Sequence, residues 1–141
     1  MEWFIFAILS ALFASFVAIF GKIGLQGIDS NTAAAIRAVV MALFLIGVIV
    51  VQGKLSNVSS ILSNNKALFY IVLSGLAGAM SWLFYFVALK GAKVSQIVPI
   101  DRMSVVFALI LAFFILGEKI SIRSGFGAAL VVAGGILIAL G

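Results

Sequence analysis

The chain has no cysteine and no histidine. The usual zinc, haem and thiol chemistries are therefore closed to it, and no metal or cofactor is expected. Charge is scarce too. Only 9% of the 141 residues are Asp, Glu, Lys or Arg, while 65% are hydrophobic, against about 25% charged in an ordinary soluble domain. Such a chain cannot cover its own surface with polar groups, and it reads as an integral membrane protein. The nine bases outnumber the four acids but come one or two at a time. The net charge of +5 therefore reads as loop charge beside a lipid bilayer; nucleic-acid binders cluster such residues on one face.

A cleaved leader would open with a basic region ahead of an apolar core of about 7–15 residues. Here Glu2 precedes Trp3, and the uncharged run from Trp3 to Gly21 is 19 residues long, so it reads as a first membrane helix. Five runs reach the roughly 20 residues needed to cross about 30 Å of hydrocarbon: residues 3–25, 32–51, 67–89, 94–117 and 124–141. Asp29, Ser30 or Asn31 is placed to cap the second. The one long polar connection, QGKLSNVSSILSNNK at 52–66, has room for a turn of helix. No linker divides the chain. The expected fold is all-α, a single-domain bundle of five transmembrane helices.

The one proline stands in the fourth run, in IVPIDRMSVVF at 97–107, close to Asp101 and Arg102. The uncharged remainder, Met103 to Gly117, is 15 residues, about 22 Å of helix. That is too short for the bilayer, so Asp101 and Arg102 lie inside its boundary. Counting back from Lys54 to Arg37 gives 17 positions, about 25 Å, and Lys22 reaches a similar level 19 positions after Trp3. Charges from three helices thus share one layer.

An ionisable group at that depth costs about 3 kcal/mol even on the mildest scales unless it is paired or wetted. Two readings stay open. In one, Arg37 pairs with Asp101 as an assembly clasp while Lys22 and Arg102 snorkel to the headgroups. In the other, the layer is the mouth or gate of a substrate pathway. Pro99 deprives the Ser95 carbonyl of its helical partner and loosens the first turn. Backbone left open at membrane depth is tolerated only against protein or water, which favours a lined cavity. Trp82 and Tyr85, three residues apart on the third helix, share a face on the same side of the membrane. Tyr85 suits the interfacial aromatic belt; Trp82, about 24 Å from Lys66, is deep enough for a cavity wall. Ser104 adds a hydroxyl to the same space.

Taking the amino-terminal side as A, Lys54, Lys66, Lys119 and Arg123 face A, and Lys22, Arg37, Lys90, Lys93 and Arg102 face B. So even a balance gives the positive-inside rule nothing to act on, and the chain is expected to insert both ways up. Two oppositely inserted copies would form the inverted-repeat pair on which many transporters are built. Small residues at helical spacing offer packing seams: Ala7, Ala11, Ala14, Ala18 and Gly21 on the first helix, and Gly125, Ala129 and Ala133 on the fifth. An enzyme needs a nucleophile, an acid/base pair or a metal site. Asp101 is the one carboxylate at depth and has no base beside it, so no enzyme is expected.

The order ALKGAKVSQIVPID, then LGEKIS, then a glycine-rich last helix, together with FGKIGLQGIDSNTAAAIRAVV near the start, resembles an EamA-type domain of the drug/metabolite transporter superfamily. The likeness is to its short single-domain bacterial and archaeal members and covers nearly the whole chain. It implies a five-helix unit equal to half of a ten-helix inverted-repeat transporter in a prokaryotic cell membrane. It also implies a small polar metabolite as substrate and, as partner, a second antiparallel copy or a paralogue. The four-helix small multidrug resistance relatives rely on a glutamate inside the first helix. Here no acid follows Glu2 in that helix, so a facilitator, exchanger or exporter is expected in place of proton-driven cation extrusion by that route. A small dual-topology ion channel, or an accessory subunit of a heteromeric transporter or lipid flippase, is the alternative.

Overall fold

Every backbone N–H and C=O that enters hydrocarbon must find a partner within the chain, which leaves helix as the form for apolar runs of this length. In the structure, a computed structural model that describes residues 2–141, all five runs are helical. Long helices α1 (Glu2–Gly24) and α2 (Ser30–Val51) are followed by a short α3 (Leu55–Leu62) within the polar connection, and then by α4 (Asn65–Gly91). The fourth run is divided into α5 (Val94–Asp101), α6 (Ser104–Leu111) and a π-helical turn (Ala112–Leu116), and α7 (Ile122–Leu140) closes the chain. No more than 11% of the apolar window of any of these five spans is buried. Their outer faces are therefore dressed for lipid or for another apolar surface, not for water.

The helix starts follow local chemistry. Asp29 is the cap of α2: its Oδ2 accepts from the Thr32 N–H at 2.8 Å and from the Thr32 hydroxyl at 2.9 Å. Those two bonds, the backbone one first, hold the carboxyl below its ordinary range. At α7 the Ser121 hydroxyl accepts from the Ser124 N–H at 3.0 Å. The LGEKIS turn has a backbone reason: the π-helical turn ends at Gly117 with φ 68°, a left-handed conformation that glycine adopts without strain.

The chain forms two compact units. One comprises the residues up to Ile23 with Gly91–Gly141; the other is Gly24–Lys90. In the first, α5 packs against α7. At their crossing a methyl group added to Gly135 would stand 3.0 Å from the Pro99 carbonyl oxygen. Gln96 ties the same pair at the other end: its Nε2 donates to the Ala139 carbonyl at 3.3 Å, and its Oε1 accepts from the Lys93 N–H at 3.3 Å.

The fourth run departs from expectation in where it loosens. The first turn of α5 is intact, with Ile97 N–H bonded to Lys93 O at 3.2 Å. The break comes after Pro99, at Arg102–Met103. There the Met103 N–H turns to Ile100 at 3.0 Å, Val105 to Arg102 at 3.1 Å and Val106 to Met103 at 2.9 Å. All three are three-residue bonds of the tighter 3₁₀ kind. The Met103 amide that an α-helix would direct to Pro99 is therefore turned away from it, and the Pro99 carbonyl lies against Gly135 instead. A carbonyl next to a Cα–H is a weak favourable contact, one that a side chain at 135 would abolish.

Gly135→Ala should accordingly lower thermal stability in detergent, and Gly135→Leu should do so more, by about 1–3 kcal/mol as for other overpacked sites. Gly134→Ala should be neutral or slightly stabilising, because nothing lies within 4 Å of a methyl added there. Equal unfolding temperatures for the 134 and 135 variants would refute the close crossing.

Candidate functional site

Within the unit Gly24–Lys90, α2 and α4 bring together the residues with most chemistry. Arg37 is seven residues inside α2, about 10 Å from its start. Trp82 is nine residues before the end of α4, about 13 Å in. Antiparallel helices match these levels, and the Arg37 Cζ lies 3.5 Å from the centroid of the Trp82 ring. Phe86, one turn further along α4, is buried and places its own ring 5.7 Å from the same carbon. Tyr85 completes the cluster, edge-on to Trp82 at 5.4 Å, while Phe86 meets Trp82 edge-on at 6.0 Å.

This is a cation–π site, and its physics differs from that of an ion pair. The ring quadrupole attracts the guanidinium by about 0.5–2 kcal/mol, most when desolvated, but it neutralises no charge. A ring also offers no oxygen to the five N–H groups of an arginine. The one acid in the sequence of this unit is Asp29, and its carboxylate is occupied by Thr32.

Beside the stack runs a groove of about 500 Å³, in the size range of small-molecule sites. Ala34, Ala35, Ala38 and Ala42 of α2 and Gly75, Gly78 and Ala79 of α4 form its walls, so its width comes from side chains that do not fill it. Arg37 and Trp82 line it at one end together with Asn31, and Met41, Leu45 and Leu83 supply its bulkier apolar surface.

The remaining expected site residues lie in the other unit. Lys22, in the last turn of α1, donates from Nζ to the Ala92 carbonyl at 2.8 Å. Asp101 and Arg102 end α5 at the break, and Ser104 opens α6; all three are exposed. Within one unit the structure joins Arg37, Trp82 and Tyr85; within the other, Asp101, Arg102 and Ser104 follow one another along the chain at the helix break.

The small-residue seams divide as well. On α1, Ala18 is buried, Ala14 and Gly21 are half-buried, and Ala7 and Ala11 are exposed. On α7 the buried positions are Ala128 and Gly135. Gly125, Ala129 and Ala133 are exposed and line an open apolar groove with Val106, Leu109 and Ile110 of α6. Phe86 and Gln96 were not anticipated. Phe86 stands four residues after Trp82, on the face already assigned to Trp82 and Tyr85, so its spacing was a usable signal. Gln96 gave none.

The sequence profile described as the EamA-like transporter family matches residues 1–140. The chain belongs to the EamA-like transporter family. A Sinorhizobium protein described as an uncharacterized transporter in the cobO 3′ region is 36% identical over 139 residues, covering 99% of this chain and 97% of its own length. No solved structure matches. As an EamA-like protein with five membrane-spanning helices, the chain is an integral membrane transporter. The bacterial origin of its relative fits a cell-membrane location.

A double-mutant cycle tests the stack that anchors this EamA-like site. Arg37→Gln and Trp82→Leu should each destabilise the detergent-solubilised protein, with a coupling of about 0.5–2 kcal/mol between them. Strictly additive effects in equilibrium unfolding would show that the two side chains do not interact.

Proposed function

We propose that the protein is a carrier of a small polar metabolite, working as a facilitator, exchanger or exporter in an antiparallel homodimer. The observation that carries this reading is the Arg37–Trp82 stack. A permanent charge stands about 10 Å inside a membrane helix, at the end of a groove of about 500 Å³. Intramembrane charge is expensive and is kept where it serves a pathway. Packing alone would be served better by an apolar side chain at 37. In this reading Arg37, Trp82 and Tyr85 form the polar end of the pathway in one unit. Asp101, Arg102 and Ser104 at the helix break, with Lys22, supply the polar element of the other. Non-helical backbone at membrane depth supports it, because such backbone is tolerated where it lines protein or water, as in the interrupted helices of many carriers.

The antiparallel arrangement rests on charge. Without a Lys/Arg asymmetry the chain has no electrostatic reason to choose an orientation. Two inverted copies would give ten spans with the symmetry that alternating access requires. A paralogous partner of opposite bias would serve the same geometry.

The absence of cysteine makes orientation directly measurable. A Ser59→Cys variant, labelled in intact cells with a membrane-impermeant maleimide, should react in roughly half of the copies, with the remainder reacting only after permeabilisation. Adding lysines at Asn57 and Asn64 should bias the population to one orientation and abolish transport, and a copy biased the other way should restore it. Full transport by a population of one orientation would overturn the antiparallel dimer.

A further inference from the structure

We propose that the α2–α4 groove is a binding site for an organic anion: a small carboxylate or phosphate whose charged end meets Arg37 and whose apolar body lies along the groove floor. This rests on the carrier reading above and names the substrate class for the same site. Three features of the groove carry it.

The first is charge. The groove is lined by one cation, Arg37, and among its described lining residues by no carboxylate. The stack on Trp82 fixes the guanidinium at 3.5 Å from the ring centroid but brings no opposite charge to it. A cationic substrate would meet like charge there. A neutral one would leave the charge as costly as before. An anion removes that cost on arrival.

The second is donor geometry. The rings of Trp82 and Phe86, which lie against the guanidinium, accept no conventional hydrogen bonds, so its fork suits the paired oxygens of a carboxylate or phosphate, its best-matched partners. A ring beneath the guanidinium also restrains it before binding, which reduces the ordering cost of association.

The third is the apolar remainder. Beyond Arg37, Trp82 and Asn31 the walls are Ala, Gly, Met and Leu. Ala38, Ala42, Gly75 and Ala79 project too little to close the space between the helices, so a substrate with an aliphatic or aromatic body fits better than a fully hydrated inorganic ion.

Trp82 is its own reporter. The chain has two tryptophans, and the other, Trp3, is an exposed residue of α1, so a Trp3→Phe protein emits from Trp82 alone. Purified in a neutral maltoside detergent, it would be titrated with 4-methylpentanoate, the matching amide and the matching primary amine, and separately with inorganic phosphate. The carboxylate is expected to give a saturable change in Trp82 emission. The amide and amine should bind at least tenfold more weakly, and inorganic phosphate more weakly than the carboxylate. Arg37→Gln should remove the response. Arg37→Lys, which keeps the charge but not the fork, should weaken it by about tenfold and keeps the test informative if the glutamine variant does not fold.

An amine that binds as well as the carboxylate, or carboxylate affinity within twofold of the parent in Arg37→Gln, would overturn the proposal. So would a response to phosphatidylglycerol nanodiscs without any response to the soluble acids, which would identify a lipid phosphodiester as the occupant. Failure of the carrier reading looks different: anion binding would persist, but reconstituted vesicles would show no saturable flux of 4-methylpentanoate.

Discussion

The unit Gly24–Lys90 depends on how the charge of Arg37 is held inside a membrane helix. Arg37 cannot lose its proton at any relevant pH, and its own compact unit supplies no spare carboxylate. The chain answers with π-electrons. Trp82 lies under the guanidinium and Phe86 borders it, so the same helix that provides the aromatic wall also positions the cation. This arrangement explains why α4 carries three aromatic residues on one face. Alanine and glycine along much of the groove beside them leave space next to the cation that bulkier residues would fill.

The other unit shows the complementary constraint, on backbone rather than charge. A proline within a membrane helix frees a carbonyl and crowds the preceding turn. Here the disturbance is passed forward to Arg102–Met103, where the amides of Met103, Val105 and Val106 reach back three residues instead of four. Gly135 lets α7 approach closely enough to cover the Pro99 carbonyl, and Gln96 fixes the far end of the same crossing. The break therefore sits beside a rigid contact.

The helical runs were legible in the sequence because they follow from length. A bilayer is a ruler, and an apolar run long enough to cross it is read without any knowledge of packing. The aromatic face of α4 was legible for a similar reason, since three- and four-residue spacing fixes which side chains align. The contact between Arg37 and Trp82 was not. An arginine in a sequence invites pairing with an acid, and only the packing of α2 on α4 shows that an indole lies against it. Nor was the position of the break, because Pro99 marks which bond is lost but not how far along the helix the strain is relieved. The small-residue seams were half legible: spacing shows that helices can approach, yet Gly125, Ala129 and Ala133 remain exposed while Ala128 and Gly135 make the contacts.

A ring against Arg37 also suits the proposed carrier energetically. Breaking a buried ion pair leaves an uncompensated charge and costs about 3–5 kcal/mol, which would slow every cycle in which the cation has to exchange partners. A cation–π contact is worth about 0.5–2 kcal/mol and need not be broken at all when an anion arrives, because the ring and the anion can occupy different sides of the same guanidinium. The stack holds Arg37 in place without competing for the hydrogen bonds that a substrate would use. In the proposed site a ligand would bind through the edge of the guanidinium and leave without stripping the arginine of its support.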